Sequence, residues 1–149
     1  MIKSMSHACF YVLDQESAKR FYTAKRFYTE KLGFEVRSDV VMGAESEGAG
    51  QGLRWLTVSP PQQSDVEIIF ADPAMGHDAE TAEQIRALVA KGAIGSGVMA
   101  TDDCQKTYEE LSARGVVFLQ EPAERPYGTE AVFRDDSGNW FSLNQRAQS

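Results

Sequence analysis

The pattern of apolar and polar positions divides the chain into two similar runs. Residues 7–13 (HACFYVL) are rich in strand formers and predict a strand. Asp14 to Ser17 (DQES) supplies N-cap chemistry and early negative charge, so a helix follows until Gly33 stops it after Lys31 and Leu32. Strands are predicted at Phe34–Arg37, Leu53–Val58 and Val66–Phe70, separated by a glycine-rich loop over 44–52 and the turn-rich SPPQQSD. After a loop over 71–77, Ala79–Lys91 reads as a helix with Ile85, Leu88 and Val89 on one stripe, ended by Gly92 and Gly95. The opening pattern then returns. Ser96–Thr101 is a strand, and Asp102 and Asp103 cap a helix over Cys104–Arg114, with Tyr108 and Leu111 turned inward and Gly115 at its end. Val116–Leu119 is a strand, Glu121–Gly128 (EPAERPYG) a loop and Glu130–Arg134 a strand. Asp135–Asn139 (DDSGN) is a tight turn needing positive φ at Gly138 or Asn139, and Trp140–Gln145 is the last strand.

The order is therefore β-α-β-β-β, a helical linker, and β-α-β-β-β again, which places the chain in the α+β class. One domain over 1–149 is expected, with a first module at about 5–72, a linker at 78–92 and a second module at about 95–146. HACFYVLDQESAKRFY and SGVMATDDCQKTYEEL align without gaps, Asp14 on Asp103 and His7 on Ser96.

A sharper repeat lies inside the first helix. AKRFYT at Ala18–Thr23 is followed at once by AKRFYT at Ala24–Thr29. Six residues turn a helix by about 600°, so the second copy lies roughly 120° out of phase with the first. Phe21 and Phe27 cannot share one groove, whereas Phe21 and Tyr28, seven apart, can. One copy is expected to be a surplus duplication. A chain lacking residues 18–23 should keep most of its thermal stability, and a large drop in melting temperature would show that both copies are needed.

Composition narrows the function. The chain has 149 residues, 42% of them hydrophobic and 25% charged, ordinary for one globular domain with a real core. A net charge of −7 repels phosphate backbones and anionic lipid, which disfavours nucleic-acid and membrane-surface roles. Arg54, Arg125 or Arg134 could still line a local pocket for an acidic ligand. Cys9 and Cys104 form no CxxC pair and no disulfide framework. With no signal-peptide pattern and no long apolar run, a cytoplasmic location is the expectation.

Candidate chemistry is sparse. The two histidines exclude a histidine-rich metal site within one chain. Period-2 alternation puts His7, Cys9 and Tyr11 on one face of the first strand, and Asp65, Glu67 and Ile69 on one face of the fourth. His7 and Glu67 are either partial ligands of a divalent metal or a hydrogen-bonded polar pair, since such a site generally takes three or four protein ligands. His77, between Gly76 and Asp78, reads as a solvated loop residue. Trp140, Ser142 and Asn144 share a face of the last strand. Tyr11, Trp55, Tyr127 and Trp140 could wall a ligand cleft by stacking, or pack the core.

HACFYVLD, FYTEKLGFEV, VEIIF, TDDCQKTYEELSARGV, ERPYG and DDSGNWFSL together resemble the vicinal oxygen chelate superfamily. This family includes glyoxalase I, bleomycin-resistance proteins, fosfomycin-resistance enzymes and extradiol dioxygenases. The resemblance implies paired βαβββ modules forming a U-shaped mixed sheet around a cleft, helices outside, and assembly as a homodimer. By motif, the family's metal-ligand positions fall on His7, Glu67, Ser96 and Ser142. Serine is a poor ligand beside imidazole or carboxylate, so half the implied set is absent. The expectation is a small-molecule-binding protein of the glyoxalase/bleomycin-resistance type, with no cofactor. The alternative is a lyase or isomerase of the glyoxalase I type, using Zn, Ni, Fe or Mn at His7 and Glu67 with a further ligand such as one from a dimer mate.

Overall fold

The computed structural model describes residues 1–13, 27–42 and 53–148. The helix expected after Asp14, the first AKRFYT copy and the loop expected over 44–52 lie outside these, apart from the helix's last turn. The chain divides into two units, Met1–Ala87 and Leu88–Ser149. Each has its own four-stranded mixed sheet.

In the first unit the strands are β1 (His7–Tyr11), β2 (Glu35–Met42), β3 (Leu53–Ser59) and β4 (Glu67–Ala71), in the order β1-β4-β3-β2. β1 runs parallel to β4, with His7 beside Glu67 and Cys9 beside Ile69, and the other pairings are antiparallel. Alternation sorts the side chains. Val12, Leu56, Val58, Ile68 and Phe70 are buried, while His7, Cys9, Trp55 and Glu67 keep some exposure on the opposite, polar face. Burying one such aliphatic or aromatic side chain contributes about 2 kcal/mol.

A short wide turn, Phe27–Lys31, covers the core face. The Leu32 N–H donates to the Phe27 carbonyl, five residues back, at 3.2 Å, and the Phe34 N–H to the Tyr28 carbonyl at 2.8 Å. The wider loop of an i→i+5 bond admits one residue more than an α-turn. Neighbouring residues Phe27 and Tyr28 are both buried. The Tyr28 ring lies 4.5 Å from that of Phe70 and 5.5 Å from that of Phe34. The second AKRFYT copy therefore supplies two core aromatics.

Helix α1 (Ala79–Ala90) begins where Asp78 accepts from the Thr81 N–H at 2.7 Å. Its buried positions are Ala82 and Val89, whereas Leu88, expected on the inward stripe, is exposed. Residues 82 and 89 are two turns apart and share a face; position 88 is rotated about 100° from 89.

The second unit repeats the topology with β5 (Gly95–Ala100), α2 (Cys104–Ala113), β6 (Val117–Arg125), β7 (Gly128–Arg134) and β8 (Trp140–Arg146), in the sheet order β5-β8-β7-β6. Asp103 caps α2, accepting from the Lys106 N–H at 2.9 Å. Tyr108 packs edge-on against Phe118 at 4.7 Å and Leu111 is buried, as expected. One expectation fails. Glu121–Arg125, read as loop from its proline and charges, continues β6, leaving only Pro126 and Tyr127 as the hairpin turn. Pro122 is tolerated because β6 is an edge strand and the register slips between Gln120 and Ala123, a bulge where the missing N–H breaks no regular ladder.

Candidate functional site

The polar face of the first sheet gathers most of the expected site residues. The His7 Nε2 lies 3.2 Å from the Glu67 Oε2 across the β1–β4 pairing. The other carboxylate oxygen, Oε1, accepts from the Thr57 hydroxyl at 2.7 Å. The His7 Nδ1 faces the Ser6 hydroxyl at 2.9 Å. The Trp55 ring stands 6.1 Å from the His7 ring, tilted by 51°. Tyr11 closes the other end of β1, edge-on to His77 at 5.7 Å, and the His77 Nδ1 sits 3.1 Å from the Pro73 carbonyl oxygen. Burial pushes the Cys9 thiol above its ordinary pKa, and burial followed by neighbouring Cys9 does the same to the Tyr11 phenol. Both of these groups stay neutral at physiological pH. Arg54 is spent elsewhere, holding Asp39 with two hydrogen bonds of 2.9 Å.

The second sheet places the remaining residues differently. Trp140, Ser142 and Asn144 do share a face, opposite the buried Phe141 and Leu143. The Trp140 indole lies on β5 at Gly95, where any Cβ would collide with its ring. Tyr127 sits in the β6–β7 turn, about half exposed. Its phenol is raised by desolvation first, then by hydrogen bonding and charge from Glu130. Ser96 and Ser142, paired by motif, do not meet. The β5 neighbour of Ser142 is Val98, and the Ser96 hydroxyl donates to the Asn139 Oδ1 at 3.1 Å. The register slip between Gly95 and Gly97 moves Ser96 out of the ladder. Ser142 instead donates to the Glu130 Oε2 at 2.7 Å.

Thr57, His77 and Glu130 were missed in the sequence. Thr57 and Glu130 carry a signal, being two residues from Trp55 and from Val132 on alternating strands. His77 carries none, because a loop brings it to Tyr11.

A divalent site of the kind the superfamily resemblance implies would need more donors than this face offers. His7 and Glu67 supply two, already bonded to each other and to Thr57, and no group of three or more His, Cys, Asp or Glu converges among the described residues. The donor set of this face does not fit a complete metal site.

Paired βαβββ-type modules with polar sheet faces define a class of small two-module α+β proteins. The chain belongs to the Glyoxalase/Bleomycin resistance protein/Dioxygenase superfamily, whose family profile matches residues 23–143. Among solved structures it is similar to UcmS2, at 49% identity over 97% of this chain and 99% of that one, with a TM-score of 0.83. It is also similar to TnmS3, an antibiotic binding protein from Streptomyces sp. CB03234, at 27% identity over 98% of both chains, with a TM-score of 0.69. An uncharacterised Bacillus subtilis (strain 168) protein, YetH, is 32% identical over 97% of this chain and all of its own length. No helix among the described residues is long and apolar enough to cross a membrane.

Proposed function

We propose that the protein binds an aromatic small molecule of the antibiotic type, as a single two-module domain joined by the α1 segment and working as a homodimer without a cofactor. The observation that carries this reading is the polar face of the first sheet. The carboxylate of Glu67 is held at both oxygens, by His7 and by Thr57, and the Trp55 ring stands 6.1 Å from the His7 ring on the same face. A stacking ring next to a fixed hydrogen-bonding floor recognises an aromatic ligand with polar edges. Tyr11 extends the wall from Trp55, and Tyr127 and Trp140 are the corresponding aromatics of the second unit. The similarity to TnmS3 supports antibiotics as the ligand class.

A second reading has one observation in its favour. His7 and Glu67 lie 3.2 Å apart on adjacent strands, as two ligands of one metal would before binding it. It makes the chain a metal-dependent lyase or isomerase with further ligands from a partner chain.

One experiment separates them. Protein purified without a histidine tag is analysed for metal and melted with and without planar aromatic antibiotics. The binding reading expects a rise of several degrees at a ligand concentration about 100 times Kd, where linkage contributes about 2.7 kcal/mol. Trp55→Ala should remove most of that rise. A stoichiometric metal lost on His7→Ala, with hemithioacetal turnover and no antibiotic shift, would replace this reading with the second.

A further inference from the structure

His77 reads in the sequence as a solvated loop residue, yet its ring is held in place. The loop that carries it is fixed at both ends. Asp72, which is buried, accepts from the Ala74 N–H at 2.7 Å and from Arg86 of α1 at 2.9 Å. Asp78 caps α1 by accepting from the Thr81 N–H at 2.7 Å. Between them Gly76 takes a φ of 79°, a left-handed conformation that favours glycine, and turns the chain back. The His77 ring is thereby brought edge-on to the Tyr11 ring at 5.7 Å, and its Nδ1 lies 3.1 Å from the Pro73 carbonyl oxygen.

A carbonyl oxygen can only accept, so Nδ1 carries the proton, and in the neutral ring Nε2 is an acceptor. The residue is exposed, and its Nε2 has no hydrogen-bond partner among the described residues. The adjacent Asp78 carboxylate is engaged in the α1 cap. The charged groups further along the face are already matched. Glu67 is held at both oxygens by His7 and Thr57, and the two nitrogens of His7 face Glu67 and Ser6. His77 instead presents an oriented acceptor beside an aromatic ring, with the rotamer freedom of an exposed side chain already given up. Four residues, about 13 Å of strand, separate His7 from Tyr11. The Trp55 ring lies 6.1 Å from that of His7, and all of these side chains belong to the first unit.

We infer that His77 is a specificity residue of the first sheet's polar face: its Nε2 accepts from a hydroxyl or ring N–H on an aromatic ligand whose ring system lies along Tyr11. This rests on the small-molecule-binding reading above and adds a requirement, a hydrogen-bond donor on the edge of the ligand. A ligand without that donor desolvates the acceptor and leaves it unpaired, which costs more than the bond itself contributes.

The test uses the full chain and two probes of one shape, 2-hydroxy-9-fluorenone and 2-methoxy-9-fluorenone, the second with its donor blocked. The protein has two tryptophans, Trp55 and Trp140, one in each unit. In a W140F background the emission of Trp55 alone is followed, at about pH 7.5, where an ordinary imidazole is neutral. Saturable quenching by both probes is expected, with the hydroxy probe about 10-fold tighter, the size of one hydrogen bond. H77F, which keeps a ring against Tyr11 and removes the acceptor, should bring the two probes to equal affinity by weakening the hydroxy probe alone. H77Q, whose amide oxygen can take the place of Nε2, should keep part of the preference. Equal affinity of the parent for the two probes, a preference that survives in H77F, or an equal loss of both probes in H77F would overturn the role of His77 and leave aromatic binding standing. The parent comparison decides the question even where H77F folds poorly. No quenching or thermal shift of the unsubstituted protein by either probe would overturn the binding reading as well.

Discussion

Asp135→Ala is expected to destabilise the protein by about 4 kcal/mol and, at a growth temperature near 37 °C, to reduce the yield of folded chain. The carboxylate is 1% exposed and organises the whole turn before β8. Its Oδ1 accepts from the Ser137, Gly138 and Asn139 N–H groups, each at 2.9 Å, and its Oδ2 from the Asn139 side-chain amide at 3.0 Å. Removing it strands several buried donors at once, and each unsatisfied group costs about 1–3 kcal/mol. Nothing else replaces it, because the turn is clamped from outside as well. Gly138 has φ of 120°, and a Cβ there would collide with the Val89 carbonyl of α1. Urea unfolding followed by circular dichroism measures the change in midpoint at constant slope. Asp135→Asn should retain part of the lost stability, since its side-chain oxygen can still accept. A midpoint for Asp135→Ala within about 1 kcal/mol of the parent would show that water replaces the carboxylate.

Tyr28→Ala should cost a similar amount, about 3–5 kcal/mol, the range for emptying a buried aromatic site. Tyr28 is fully buried and touches three rings, those of Phe27, Phe34 and Phe70. Tyr28→Phe, which keeps the volume, should cost about 1 kcal/mol or less. The comparison bears on the repeated hexapeptide, because Tyr28 belongs to its second copy. If the second copy holds the core, Tyr28→Ala destabilises the chain lacking residues 18–23 as much as it destabilises the full chain. A full chain indifferent to Tyr28→Ala would mean that the first copy can take over the position.

The site was half legible. His7, Cys9 and Tyr11 could be grouped from period-2 alternation, as could Asp65, Glu67 and Ile69, because a strand's side chains alternate whatever it pairs with. The contact between His7 and Glu67 could not be derived that way, since it depends on β1 lying beside β4 in one register out of several. The same reasoning explains the failure at Ser96 and Ser142. Their motif positions correspond to His7 and Glu67, but β5 stands two residues out of that register, with an irregularity between Gly95 and Gly97, so Val98 faces Ser142 and Ser96 is left to Asn139. Glu130 was overlooked because its neighbour on the polar face, Ser142, is distant in sequence and becomes close only through the β7–β8 hairpin. Loop 121–128 was misread because proline and charge usually end a strand, and only an edge position with a bulge admits them.

By itself the sequence determined most of the strands, the strand-then-helix start of the second half, the cap at Asp103, the tight turn at Gly138 and the family. These depend on propensity, spacing and backbone conformation within a few residues. The tertiary structure alone decided which polar groups face each other: His7 with Glu67 and Thr57, Tyr11 with His77, and Ser142 with Glu130. Side-chain contacts between strands are fixed by register and bulges, which arise from packing of the whole sheet. A carboxylate can thus disappear from its motif position on β8 and stand on the same face from β7.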